Sequence, residues 1–200
     1  MTYQQLLGDL DDWFASGVAD AGPGVVLCRR GCTACCHGPF DISPADAELA
    51  ATAVEQLDAA SRSAVRSRAA AQRSRYAELA PRWSAPWDVD AIGDNAFDQI
   101  SDTLADEPCP ALNDQGECCI YDARPATCRM TGLGMATVPG DGLENVCPIL
   151  HTSVAYAALN PTPFDLSRFE DRAEYWDEVA LTNGWVRTTV AGAIGRAGQK

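Results

Sequence analysis

Positive charge is scarce in this 200-residue chain. Lys and Arg number 15 against 28 Asp and Glu, which gives a formal net charge of −13 and a pI near 4.4. An acidic surface repels phosphate backbones and anionic lipid headgroups alike. That argues against general nucleic-acid binding and against docking on a membrane surface. No uninterrupted apolar run approaches the roughly 18 residues that a membrane-spanning helix needs. The opening residues, Met1 to Asp9, hold no basic stretch followed by an apolar one, so a secretory signal is not expected. Internal repeats, low-complexity tracts and a glycine-rich strand–helix fingerprint for a nucleotide are missing. Histidine occurs only as His37 and His151, and no Ser/His/Asp set or paired-carboxylate spacing points to a catalytic constellation of those kinds.

Cysteine, by contrast, is plentiful, with nine in all. The lack of a signal leads us to expect a cytoplasmic chain, where thiols stay reduced. Nine thiols in a reducing compartment point to metal rather than disulfides, and disulfides alone would strand one of an odd number. Two hundred residues suit one domain and can bury a core without metal. The expected organisation is therefore a single metal-binding domain over residues 1–200. It has cysteine segments at 25–40 and 106–148, a helical insert at 44–105 and C-terminal helices at 148–197.

The periodicity predicts a mainly α fold. Leu6, Leu7, Leu10, Trp13, Phe14 and Val18 mark an amphipathic helix over 3–19, closed by Gly22-Pro23-Gly24. Ser43-Pro44, with Asp46 and Glu48 behind it, reads as a helix start, and that helix should run to about Leu57. Asp58 or Ser61 caps a second helix reaching about Ala80. Its Arg62, Arg66, Arg68, Arg73 and Arg75 form a basic face, read as salt-bridged and solvated rather than as a docking site. Trp83 and Trp87 lie in a proline-rich connection and read as core. A helix interrupted near Gly93 is expected within 88–105. Asn113-Asp114-Gln115-Gly116 signals a tight turn, hence a small β-hairpin between Cys109 and Tyr121, the one sheet element expected. Arg124-Pro125 should open a short helix carrying Cys128 and Arg129. Gly132–Gly134 and Pro139–Gly142 read as loop. Cys147-Pro148 should open a helix through about Leu159. Residues 164–183 form another amphipathic helix, and a last one follows Asn183-Gly184. The expected fold is thus mainly α with a small β-hairpin, its helices packed around a cysteine-ligated metal centre.

The cysteines fall in two groups. The first reads Cys28-x3-Cys32-x2-Cys35-Cys36, and the second Cys109-x8-Cys118-Cys119-x8-Cys128-x18-Cys147. Thiolates are soft ligands, suited to zinc, copper(I) and iron–sulfur clusters. Structural zinc sites usually draw two pairs of ligands from two knuckles, whereas a compact thiol run resembles the cluster loops of ferredoxins. Neighbouring side chains diverge, so Cys35 and Cys36 either serve different centres or include a core thiol. The same choice holds for Cys118 and Cys119. Arg29, Arg30, Arg124 and Arg129 stand close in sequence to cysteines and would favour thiolate over thiol.

These residues resemble a known group. The cysteine run, followed by Cys109-Pro110-Ala111-Leu112, Gly116-Glu117-Cys118-Cys119-Ile120-Tyr121 and Arg124-Pro125-Ala126-Thr127-Cys128-Arg129, is similar to the YkgJ-type cysteine-cluster family of zinc- or iron-chelating domains. The resemblance covers about residues 25–150. It implies a metal held by Cys28, Cys32, Cys35, Cys36, Cys109, Cys118, Cys128 and Cys147, with Cys119 at a position where any residue is allowed. A similar cysteine-rich region occurs in the flagellin lysine N-methylases, which pair an iron–sulfur cluster with S-adenosylmethionine. The Cys28/Cys32/Cys35 spacing is also that of radical S-adenosylmethionine enzymes, but this chain has too little strand pattern for their barrel.

The functional expectation is an iron–sulfur protein, of the 4Fe-4S type, acting as a small metalloenzyme on a small-molecule or protein substrate. Tyr121, Arg124, Arg129 and His37 are the candidate polar groups at its site. The alternatives are a structural zinc module, and a non-catalytic electron-transfer or metal-handling protein.

Overall fold

The structure is a computed structural model, and it describes residues 2–137, 142–143 and 147–196. The expected helices are present, and local chemistry explains their starts. Thr2 and Gln5 form a reciprocal capping box at the head of α1 (Tyr3–Ala21), which turns Tyr3, Leu6, Leu7, Leu10, Trp13 and Gly17 inward. Ser43 caps α2 (Pro44–Glu55), with proline in the first turn. Asp58 caps α3 (Ala59–Leu79) by accepting from the Ala60 and Ser61 amides. Gly93 precedes α4 (Asp94–Thr103), which begins where the interruption was expected. A short 3-10 turn, Tyr121–Ala123, leads into α5 (Ala126–Met130). Later come α6 (Val154–Ala157), α7 (Leu166–Thr182) and α8 (Val190–Arg196).

The sheets depart from expectation. Between Cys109 and Tyr121 the hairpin shrinks to a single antiparallel bridge, Leu112 to Cys118. Asn113 folds the turn back on itself, its Oδ1 accepting from the Gln115 and Glu117 amides at 3.0 and 2.8 Å, which leaves no length of paired strand. The paired strands lie elsewhere. β1 (Asp41–Ile42) runs antiparallel to β5 (Thr188–Thr189). β2 (Met135–Thr137) lies between β3 (Gly142–Leu143), antiparallel, and β4 (Thr162–Phe164), parallel. β2 thus lies between the two stretches read as loop and β3 begins at Gly142 of the second, whose residues 139–141 lie outside the described residues. Cys147-Pro148 opens turns rather than a long helix, and only α6 follows.

Two apolar cores result, and each draws on distant parts of the chain. The first holds Val54, Val65, Tyr76, Trp83, Val89, Phe97 and Ile100, sealed by Val190 and Ile194 of α8. Tyr76 and Trp83 stack at 4.9 Å, and Phe97 meets Trp83 edge-on at 6.0 Å, so the tryptophan of the connection is core, as expected. The second core joins Leu6, Leu7, Leu10 and Trp13 of α1 to Leu133, Met135, Tyr156 and Phe169. The arginines of α3 are engaged. Arg66 pairs with Glu55, and Arg75 with Glu78 and Glu107. Arg62 donates to the Glu55 carbonyl, Arg73 to the Ala191 carbonyl and Arg68 to the Pro110 carbonyl, the last tying α3 to the second cysteine segment. No helix among the described residues is long and apolar enough to cross a membrane.

Candidate metal centre

The first cysteine segment is two consecutive turns. The Cys32 amide donates to the Arg29 carbonyl and the Cys36 amide to the Thr33 carbonyl, each at 2.9 Å. The loop is then clasped to the second segment. Cys109 donates to the Cys36 carbonyl at 2.8 Å and Gly38 to the Glu107 carbonyl at 2.7 Å, around a bridge between His37 and Pro108. Two thiol-bearing stretches separated by residues 37–108 are thereby joined by backbone bonds.

Around this clasp lies a cavity of about 200 Å³. Cys28, Cys32, Cys35, Cys36, Cys109, Cys118 and Cys128 line it, with Tyr121, Arg124 and Arg129 on the same wall. All nine cysteines are free thiols. The adjacent pairs part differently. Cys35 and Cys36 both face the cavity, whereas Cys118 lines both the cavity and a neighbouring depression beside Gln4 and Leu49, and Cys119 lines only the depression. Cys147 is not on the cavity wall. It is 3% exposed in the second core, against which Cys28 also packs. His37 is exposed and off the cavity. His151 is also exposed, its Nδ1 2.7 Å from the Pro148 carbonyl.

Several residues that position the thiols come from far away in sequence. Asp46, 2% exposed on α2, accepts the Ala126 amide at 3.1 and 3.2 Å and the Tyr3 hydroxyl at 2.9 Å. It thereby fixes the head of the helix that carries Cys128. Burial pushes the Asp46 carboxyl up to about 7, against the opposing pull of the Ala126 and Tyr3 hydrogen bonds. Asp11 of α1 pairs with both Arg124 and Arg129. Arg129 also donates to the Arg124 and Asp122 carbonyls at 3.0 and 2.9 Å. Arg30 and Arg124 lie over the Tyr121 ring at 4.5 and 4.3 Å. The Tyr156 hydroxyl donates to the Gly132 carbonyl at 2.6 Å and accepts the Cys147 amide at 2.7 Å. Gly132 has φ 116°, and a Cβ there would stand 2.7 Å from the Cys28 sulfur. Asp11 and Tyr156 carry no local sequence signal. The Asp46 register was visible only as a helix start, and Gly132 only as loop.

The electrostatics suit cation binding. Burial pushes the Cys28 and Cys109 thiols up to about 12, with neighbouring thiols adding to it. Cys36 rises through its hydrogen bond to Cys35 and through burial, Cys118 and Cys128 through burial, while Cys35 is lowered to about 7 by its bond from Cys36. Arg124 and Arg30 pull Cys118 down, as Arg68 does Cys109, but burial outweighs them. A cavity walled by so many thiols cannot ionise them together without added positive charge. Metal cations supply it and drive the protons off. The all-sulfur donor set fits a thiophilic metal. Among the described residues no three His, Cys, Asp or Glu side chains converge on one ion-sized point. The thiols stand around a space several times a water molecule's share of about 30 Å³.

No curated protein and no solved structure was found to match the chain. A family model does, over residues 27–148, a span that contains all nine cysteines. The chain belongs to this family, CxxCxxCC, described as "Putative zinc- or iron-chelating domain".

Proposed function

We propose that the protein binds an iron–sulfur centre, of the 4Fe-4S type, through the cavity thiols. The observation that carries this reading is the arrangement of sulfur around a space rather than a point. A lone zinc ion draws four sulfurs to about 2.3 Å and fills the gap between them. A cluster instead holds its cysteines apart at its corners, which matches seven thiols standing around about 200 Å³. When bound, such a centre supplies electron transfer or an open iron site. Tyr121, Arg124 and Arg129 share the cavity wall and would meet a small molecule that reaches it, whereas exposed His37 would not. A small metalloenzyme acting on a small-molecule or protein substrate is the activity class that this placement favours.

The test is anaerobic purification with iron, zinc and acid-labile sulfide measured against protein. Iron and sulfide together are expected, with a brown colour bleached by air. A colourless, sulfide-free protein saturated with zinc overturns the reading in favour of a structural zinc module.

A further inference from the structure

Resting on the reading of the cavity as a site that a small molecule reaches, we propose that its guest is a small organic acid and that Arg29 is the residue that holds the carboxylate.

The first argument is the charge of the wall. The chain carries 28 Asp and Glu against 15 Lys and Arg, yet the cavity is lined by Arg29, Arg124 and Arg129 and, among the described residues, by no carboxylate. A cleft walled by one sign of charge focuses its field and draws in the opposite sign, even on a molecule whose net charge repels it. The second argument is which donors remain. A guanidinium offers five N–H donors on three nitrogens. Arg129, 4% exposed, has every nitrogen engaged, with the Arg124 carbonyl, the Asp11 carboxylate and the Asp122 carbonyl. Arg124 has both terminal nitrogens engaged, with the Tyr121 carbonyl and Asp11. These two arginines hold the wall together. The Arg29 side chain has no carboxylate or carbonyl acceptor among the described residues. Arg82 and Arg168 share that state, but neither is on the cavity wall. The third argument is place. The exposed members of the wall are Arg29, Gly31 and Cys35, so the cavity opens along the first cysteine segment and Arg29 stands at the opening. The same wall presents apolar Phe14, Phe40, Leu112, Ile120 and Val190. A carboxylate meets a guanidinium through two parallel N–H···O bonds, and an apolar body suits the rest of such a wall. An inorganic anion would answer only the arginine.

The experiment is equilibrium dialysis of radiolabelled benzoate against anaerobically purified, metal-loaded protein. It compares the wild type, Arg29→Gln and Arg82→Gln, with metal content and circular dichroism measured on each. Wild type and Arg82→Gln are expected to bind benzoate alike, and Arg29→Gln about tenfold more weakly or worse, with the same metal content in all three. Inorganic phosphate, used as the competitor, should displace benzoate only at higher concentration than unlabelled benzoate does. A wild type that binds no benzoate overturns the proposal, as do equal binding by Arg29→Gln, an equal loss in Arg82→Gln, or phosphate competing as well as benzoate. Metal loss in Arg29→Gln also overturns it, by making Arg29 a counter-charge of the metal centre instead. A sulfide-free zinc protein that binds benzoate through Arg29 supports the organic-acid site and overturns only the iron–sulfur reading.

Discussion

At the residue scale, the adjacent pair Cys118 and Cys119 shows how one position decides a role. Both are cysteine, yet only Cys118 reaches the cavity. Cys118→Ser should therefore lose metal, and Cys119→Ser should keep the full complement, as measured by metal content after anaerobic purification. Gly132 offers a second test. Its φ of 116° is unfavourable for any side chain, and an added methyl would meet the Cys28 sulfur. Gly132→Ala should cost about 1–3 kcal/mol in chemical denaturation and should weaken metal retention at Cys28. The thiols that line the cavity were legible in the sequence because their spacing is local and their residue type is chemically specific. Gly132, Asp46, Asp11 and Tyr156 were not, because each acts across the fold on a thiol segment far from its own position.

At the scale of elements, caps made the helices legible. Ser43 and Asp58 each announced a start that the structure keeps. The hairpin, kept as one antiparallel bridge, and the helix after Cys147 both came out shorter than expected. Each was read from a turn or proline signal, and part of each segment's backbone bonding goes to side chains, Glu117 N to the Asn113 Oδ1 and Cys147 N to the Tyr156 hydroxyl. The contact between α2 and α5 through Asp46 is the element-level feature with a pH signature. The folded-state carboxyl lies near 7 and the ordinary value is 3.8, so the folded chain binds the extra proton between those limits. Stability from this group is then lost as pH rises through about 7 and gained as pH falls toward 4. In urea denaturation, wild type should gain on Asp46→Asn as the pH falls from 8 to 5, by on the order of 2–4 kcal/mol over the full window. A gap that stays flat with pH would mean that Asp46 remains charged throughout.

For the whole molecule, the two cores carry apolar faces that do not depend on metal. Metal removal should therefore disorder the loop at 25–40 and the segment 106–130, while α1, α3 and α7 keep their protection. Hydrogen exchange on metal-free and loaded protein checks this, and equal protection of the second cysteine segment in both forms would mean that its thiols are not ligands. The mostly helical build was legible from periodicity. The weave of the chain through two cores was not, because periodicity gives a buried face but not its partner. That weave also orders events in time. The ribosome adds roughly 5–20 residues each second, so Cys109 follows Cys36 by roughly 4–15 s. All nine thiols are synthesised before α8, yet Val190 of α8 closes part of the cavity wall and seals the first core. The nascent chain thus passes through a stage in which every sulfur is present and the chamber still lacks a side, an interval open to a metal donor before the last helix shuts it.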